Sequence, residues 1–178
     1  MAINASQVGL LIVYTGQGKG KTTAALGLVL RALGHGLRPC VLQFIKSERG
    51  RWGEAIMAER LGIAWRALGK GFVFDPARQR EDAELAQQGW AMAQAEIASG
   101  AYDLVVLDEF TYPLAFGWLD VAEVVAWLVE RRPPHLHLVI TGRDAPPQLL
   151  AAADLVTEMV MVKHPYDAGV RAQLGIEF

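Results

Sequence analysis

Six short apolar runs, rich in β-branched residues, are the feature of this sequence that most constrains its fold. They are continuous apolar runs, not alternating ones, which is typical of strands covered on both faces. Longer segments with helical character separate them, as in βαβ units. The runs are LLIVYT (10–15), CVLQFI (40–45), IAWRAL (63–68), LVVLDE (104–109), LHLVIT (136–141) and LVTEMVMV (155–162). The pattern predicts an α/β fold with a mostly parallel central sheet flanked by helices.

Length and composition limit the domain count and the classes of partner. With 178 residues, 52% of them hydrophobic, the chain can bury one substantial core, so we expect a single domain over residues 1–178. The net charge is -2 and the 17 Lys and Arg are scattered, which disfavours nucleic acid as a partner. The lone Cys40 excludes an internal disulfide. Since neither a signal peptide nor an apolar stretch of about 20 residues is evident, we expect a cytoplasmic protein without a membrane span.

Helix signals lie between the apolar runs. TTAALGLVLRALG (22–34) has apolar residues at helical spacing and stops at Gly34. The stretch 76–99 begins with Pro76 after Asp75, a good N-cap, and is rich in Ala, Gln and Glu, which predicts a long helix. Asp120 precedes VAEVVAWLVERR as another N-cap. The stretches KSERGRWGE (46–54) and LGKGFVFD (68–75) mix Gly, charge and aromatic residues, which indicates loops that face a ligand.

Between the first strand and the first helix lies GQGKGKTT (16–23), which resembles a phosphate-binding loop. Glycines let backbone N–H groups converge on phosphate oxygens, and the helix N-terminus adds a positive dipole. Lys21 supplies a point charge, and the Thr22 hydroxyl suits Mg²⁺. The usual spacing would place a glycine at Thr15, whereas the nearest one here is Gly16. Lys19 is open to two interpretations, a solvated tip or a second phosphate contact.

The run LVVLDE supports this interpretation, because it ends in two acids about 85 residues after the loop. Asp108 and Glu109 would emerge at the carboxyl end of a buried strand, where open α/β sheets bind ligands and where an acid can hold Mg²⁺ directly or through water. Loop and acids together predict a nucleoside triphosphate site on a three-layer P-loop NTPase (RecA-like) fold. Thr141, Gly142 and Arg143 either reach the same phosphates or form a strand-end turn.

Other residues are weaker candidates for a catalytic, metal or ligand site. Cys40 is better explained as a small core residue than as a nucleophile. His135 and His137 lack a further ligand at zinc spacing. The aromatics Trp52, Phe72 and Phe74 are equally compatible with a small satellite core and with a platform for a flat ligand.

Taken together, GQGKGKTTAALGLVLRALGHG, VLQFIKS, GFVF, LVVLDE, LVITGRDAP, ADLVTEM and HPYDAGVRAQLGIEF resemble the P-loop ATP:corrinoid adenosyltransferases, from about Leu10 to Phe178. The resemblance implies that ATP binds in the orientation opposite to that of ordinary NTPases. The Co(I) centre of a corrinoid then attacks the ribose C5′ and displaces triphosphate. It also implies MgATP, a Co(I) corrinoid substrate, a flavin-type electron donor and a homodimer. An unusual loop would then serve an unusual leaving group.

The resemblance also assigns roles to residues. Lys21, Thr22, Glu109, Phe72 and Phe74 are the expected catalytic residues, the two phenylalanines closing off the lower face of the cobalt. Thr22, Asp108 and Glu109 are the expected metal site. The expected nucleotide-binding residues are Gly16, Gln17, Gly18, Lys19, Gly20, Lys21, Thr22, Thr23 and Arg31.

Three departures from the family pattern stand out. Gln17 replaces a common Asn or Asp, and Phe74 replaces a common Trp. Fewer than ten residues precede the first strand, so closure over the corrinoid is expected to be weaker or to come from another loop. Two other functions are compatible with a phosphate-binding loop. A conventional P-loop NTPase or small-molecule kinase would release ADP, and a corrinoid carrier would form no cobalt–carbon bond.

Overall fold

The computed structural model describes residues 8–47, 52–71 and 79–177, and the fold within these ranges is a three-layer α/β sandwich. Six strands form one sheet in the order β3-β2-β4-β5-β1-β6. Every pairing between described strands is parallel, so the expected mostly parallel sheet is confirmed. The strands are β1 (Leu11–Thr15), β2 (Pro39–Ser47), β3 (Ala64–Gly69), β4 (Leu104–Asp108), β5 (His137–Thr141) and β6 (Leu155–Glu158).

Each predicted apolar run overlaps one of these strands, although the ends differ by a few residues. The largest difference is at β6, where the run continues to residue 162 but the strand ends at Glu158. The reason is a competing partner, because the Met159 carbonyl accepts a hydrogen bond from the Gly18 N–H at 2.6 Å. The chain after β6 therefore packs against the glycine-rich loop and leaves the sheet.

Helices cover both faces of the sheet. They are α1 (Lys21–Gly34), α2 (Gly53–Leu61), α3 (Gln79–Ala98), α4 (Thr111–Ala115), α5 (Val121–Arg131) and α6 (Pro147–Ala152), and a short 3₁₀ turn follows at Pro165–Ala168. The predicted end of α1 at Gly34 is confirmed. Asp120 caps α5 as predicted, with its Oδ1 accepting the Glu123 N–H at 2.9 Å. The Asp-Pro signal before α3 lies outside the described residues. The short helices α2, α4 and α6 were not predicted.

Alternate strand residues face two separate cores. Leu11 and Val13 pack with buried residues of α3, α5 and α6, whereas Ile12 packs with Ala25 and Val29 of α1. This two-sided burial explains why the strands read as continuous apolar runs. No helix in the described part of the chain is both long and apolar enough to span a bilayer.

Candidate functional site

The glycine-rich loop follows β1 at the carboxyl edge of the sheet. Gly16 has φ 95°, a conformation that L side chains rarely adopt. A Cβ placed on Gly16 would lie 2.5 Å from the Met159 carbonyl oxygen, and one on Gly18 would lie 2.7 Å from it. Thr15, by contrast, is the last strand residue and is 8% exposed. The turning glycine is thus displaced by one position relative to the usual spacing, and Gly16 performs the turn out of the strand.

Lys21 stands at the first turn of α1 and points back into this loop. Its Nζ donates to the carbonyl oxygens of Gly16 at 2.7 Å and Gly18 at 2.8 Å. An ammonium group has three N–H donors, so one remains for a phosphate oxygen. The pKa of Lys21 is lowered, mainly by burial, while the nearby Glu109 carboxylate acts in the opposite direction. The side chain is therefore held in place before a ligand arrives.

Asp108, at the end of β4, is the centre of a buried hydrogen-bond network. Its Oδ1 accepts the hydroxyls of Thr22 at 2.8 Å and Thr141 at 2.7 Å, and its Oδ2 accepts Nε2 of Gln43 at 2.8 Å. Asp108 is 1% exposed and Thr141 0% exposed. Because β5 lies between β1 and β4, Thr141 bridges the gap between the loop strand and the acidic strand. Asp108 thus orients Thr22 and lies behind it.

Glu109 follows at φ 58°, a positive value that is uncommon for a non-glycine residue. Its backbone N–H donates to the Thr141 hydroxyl at 3.0 Å, which holds this turn in place. The turn places Glu109 on the wall of the cavity that the loop opens into. Such backbone conformations recur at functional sites, where surrounding contacts maintain them.

The oxygen atoms here suit a hard cation that keeps most of its own water. Among the described residues no group of three His, Cys, Asp or Glu side chains could hold a metal ion. Mg²⁺ needs no such cage, because it is bound in nucleotide sites through one or two protein oxygens together with phosphates and waters. The Thr22 hydroxyl and the Glu109 carboxylate are the candidate ligands, and Asp108 would act through Thr22.

The cavity has a volume of about 1060 Å³ and is bordered by the loop, by α4, by the start of α2 and by the C-terminal segment. On its C-terminal side Lys19 Nζ lies 3.5 Å from a Glu177 carboxylate oxygen. Gln17 Nε2 donates to Asp144 Oδ1 at 2.8 Å, and Arg143 also lines the cavity. The C-terminal segment between Met161 and Glu177, which carries HPYDAG, is thus part of the cavity wall, and the sequence did not indicate this.

The structure brings together most of the predicted site residues. The described members that line the cavity are Gln17, Gly18, Lys19, Gly20, Lys21, Thr22, Thr23 and Glu109. Arg31 lies elsewhere: it is exposed in the last turn of α1, about 15 Å along the helix from Lys21, and does not border the cavity. Phe72 and Phe74 lie outside the described residues. The family-based roles of these three residues stay predictions.

Cys40 and His137 were candidates in the sequence, whereas Gln43 was not, and the structure gives each of the three a defined environment. Cys40 is 0% exposed in the core, and burial raises the pKa of its thiol to about 12. His137 accepts the Leu10 N–H through Nδ1 at 3.2 Å, at the edge of the sheet opposite the loop. Gln43 had not been singled out, although a lone amide inside the run CVLQFI was a usable signal for a buried polar contact.

Five features together define a P-loop nucleotide-binding protein. They are a strand, a glycine turn, the buried Lys21 at the start of a helix, Thr22 in the first turn of that helix, and an acidic strand end two positions away in the sheet. The comparison with protein families identifies the branch. Residues 7–178 match the model of the ATP:corrinoid adenosyltransferases BtuR/CobO/CobP, and the chain belongs to this family of transferases.

Curated relatives agree with this assignment. Corrinoid adenosyltransferases from Escherichia coli K12 and Sinorhizobium sp. are 42% and 39% identical, over 96% and 100% of this chain and 86% and 84% of their own lengths. The corrinoid adenosyltransferase CobA of Salmonella typhimurium is 41% identical, over 96% of this chain and 86% of its own length. These matches do not favour a conventional NTPase or kinase.

Proposed function

We propose that this chain transfers the 5′-deoxyadenosyl group of ATP to the Co(I) centre of a corrinoid, in the biosynthesis or salvage of adenosylcobalamin. The observation that carries the proposal is the shared cavity. The phosphate loop and Lys21 line a cavity of about 1060 Å³, slightly larger than the usual ligand pocket of about 300–1,000 Å³. That space suits a second substrate beside the nucleotide.

In the proposed reaction the electron pair of Co(I) forms a bond to C5′. The C5′–O bond breaks, and its electrons leave on the bridging oxygen of triphosphate. No protein nucleophile is required. The role of the chain is to hold triphosphate through the loop N–H groups and Lys21, and to keep C5′ in line with the cobalt. Fixed donors at a departing oxyanion are worth about 3 kcal/mol each in comparable sites.

Thr22 and Glu109 would hold Mg²⁺, which when bound would neutralise charge on the triphosphate. Asp108 fixes the Thr22 hydroxyl by accepting its hydrogen bond at 2.8 Å. A flavin-type electron donor, a homodimer and the closure of the lower cobalt face by Phe72 and Phe74 complete the proposal. They rest on the family resemblance.

The first test is an anaerobic incubation of the purified chain with MgATP and chemically reduced cob(I)alamin. We expect a light-sensitive adenosylated corrinoid and an equal amount of triphosphate. Lys21→Ala should abolish the transfer and weaken MgATP binding, whereas Lys163→Ala, at an exposed position outside the cavity lining, should leave both unchanged. The mass of the same sample in solution reports whether the protein is dimeric.

ADP and phosphate with an unchanged corrinoid would instead indicate an ordinary NTPase. Binding of both ligands without a cobalt–carbon bond would indicate a carrier. An unaffected rate in Lys21→Ala would remove the loop from the mechanism.

A further inference from the structure

Gln43 is an amide inside an otherwise apolar stretch of β2. It lies between Leu42 and Phe44, which are 0% and 5% exposed, and it is itself 1% exposed. Burying an amide costs free energy unless hydrogen bonds replace the contacts that it makes with water. The reason for a glutamine at this position must therefore lie in its contacts.

The register of the sheet places Gln43 beside Asp108. The two residues are partners in the parallel β2–β4 pair, two positions after Val41 pairs with Val106. Val41 and Val106 pack in the core that α1 covers. Because side chains alternate along a strand, Gln43 and Asp108 project to this same face of the sheet, where Thr22 begins α1 next to Lys21.

The contact between the two side chains fixes the carboxylate. Gln43 Nε2 donates to Asp108 Oδ2 at 2.8 Å, whereas Oδ1 accepts the hydroxyls of Thr22 and Thr141 at 2.8 and 2.7 Å. The terminal torsion of an aspartate is broad, so contacts to Oδ1 alone would let the carboxylate turn. Donors on both oxygens hold its plane in one orientation.

The other end of the amide shows that Gln43 does not serve stability alone. Gln43 Oε1 is buried and has no hydrogen-bond partner among the residues that the structure describes. A buried acceptor in this state costs free energy. Turning the amide over would bring Oε1 against the carboxylate of Asp108, which is two acceptors without a proton between them. The benefit of the amide therefore lies in its contact with Asp108.

This contact can affect a bound nucleotide only through Thr22. The proton of the Thr22 hydroxyl is directed at Asp108, so the lone pairs of its oxygen remain available to a ligand. Thr22 lines the cavity, whereas Gln43 and Asp108 do not border it. A chain of two hydrogen bonds thus leads from the buried amide to the wall of the nucleotide site.

We propose that Gln43 is a positioning residue, which by way of Asp108 holds the Thr22 hydroxyl ready to ligate the Mg²⁺ of MgATP. The inference rests on the part of the proposed function that assigns Mg²⁺ to Thr22 and Glu109, and it is independent of the adenosyl transfer. Replacing a residue that orients a metal ligand typically lowers metal affinity by about 10- to 100-fold.

The test measures the dissociation constant of ATP by titration calorimetry, once with excess Mg²⁺ and once with EDTA. The ratio of the two constants reports how strongly Mg²⁺ supports nucleotide binding. Gln43→Met has a similar length but no donor, and it should reduce this ratio roughly tenfold while the affinity for metal-free ATP stays unchanged. Gln43→Asn keeps the amide but is one methylene shorter, and it should have the same effect.

Two further variants separate positioning from general stability. Val41→Ala removes buried apolar contacts on the same face of β2, so it should lower the midpoint of thermal unfolding without changing the ratio. In a Thr22→Ala background, Gln43→Met should cause no further fall in the ratio, because its effect passes through the Thr22 hydroxyl.

Equal losses of ATP affinity with and without Mg²⁺ in the Gln43 variants would overturn the inference, as would an unchanged ratio. A further fall in the Thr22→Ala background, or a fall in Val41→Ala, would overturn it too. An unaltered chain that binds ATP equally well with and without Mg²⁺ would contradict both the inference and the Mg²⁺ assignment. The titrations need no corrinoid. A ratio that depends on Gln43 in a chain that forms no cobalt–carbon bond would therefore support the inference and contradict the adenosyl transfer alone.

Discussion

At the residue scale, Thr141 shows how one buried hydroxyl holds two functional residues in place. It donates to Asp108 and accepts the Glu109 N–H, at 2.7 and 3.0 Å. The sequence was compatible with two roles for Thr141, a contact to the phosphates or a place in a strand-end turn. In the structure the Thr141 hydroxyl donates to the Asp108 carboxylate instead, and Thr141 is 0% exposed. Its role is to position Asp108 and Glu109.

Replacing this hydroxyl by a methyl group should therefore be costly. Thr141→Val leaves the Glu109 N–H without its acceptor and removes one donor from Asp108, so we expect the free energy of unfolding to fall by about 1–3 kcal/mol. Because Glu109 loses a contact that fixes its backbone, turnover should fall more than MgATP affinity. Urea unfolding and steady-state kinetics measure the two effects.

Thr157→Val is the matched control, since Thr157 is an exposed residue of the edge strand β6. It should change stability by less than about 0.5 kcal/mol. If Thr141→Val behaved like Thr157→Val in both assays, the bridging role of Thr141 would be wrong.

At the element scale, the long helices were predictable because their signals are local. Asp120 provides an N-cap, Glu123 lies in the first turn of α5, and Val124 and Leu128 are spaced to face the core. Helix α4 has only five residues, too few for a periodic pattern to stand out. It forms because Thr111 and Leu114 are buried against neighbouring elements, which is a tertiary effect.

The α5 cap gives a prediction at this scale. Asp120→Ala removes the acceptor for the Glu123 N–H and should lower the free energy of unfolding by about 1 kcal/mol. For a domain of this size that corresponds to a fall of about 2–4 °C in the midpoint of thermal unfolding.

Asp120→Asn keeps a capping oxygen and should restore most of this loss. Activity should be unchanged in both variants, because α5 does not border the cavity. An Asp120→Asn variant as unstable as Asp120→Ala would show that the carboxylate charge, and not the hydrogen bond, is what matters.

At the scale of the whole molecule, the carboxyl ends and the amino ends of the strands have separate roles. The carboxyl edge carries the loop, Asp108 and Glu109. Polar contacts stabilise the sheet at the amino ends of the strands. His137 Nδ1 accepts the Leu10 N–H, and the Asp103 carboxylate accepts a hydrogen bond from Arg38 Nε at 3.0 Å. Burial, and secondarily Arg132, lowers the pKa of His137, and the Arg38 hydrogen bond lowers the pKa of Asp103.

Both shifts make the folded state bind fewer protons than the unfolded chain. Stability should therefore fall with decreasing pH, first below about 6.5 as unfolded His137 protonates and later below about 3.8 for Asp103. His137→Gln should flatten the decline between pH 7 and 5 when urea unfolding is followed across that range.

His135→Gln, at an exposed neighbouring position, is the control and should leave the slope unchanged. An equal flattening in both variants, or none in His137→Gln, would contradict the assignment to His137.

The sequence by itself determined the six strands, the long helices, the phosphate loop and the acidic strand end. These depend on burial periodicity, capping and glycine geometry, all of which act between residues close together in the chain. Only the tertiary structure decided that Thr141 bridges Asp108 and Glu109, that Glu177 approaches Lys19 and that α4 borders the cavity. Those contacts join residues up to 158 positions apart, and they depend on the strand order, which packing between distant segments sets.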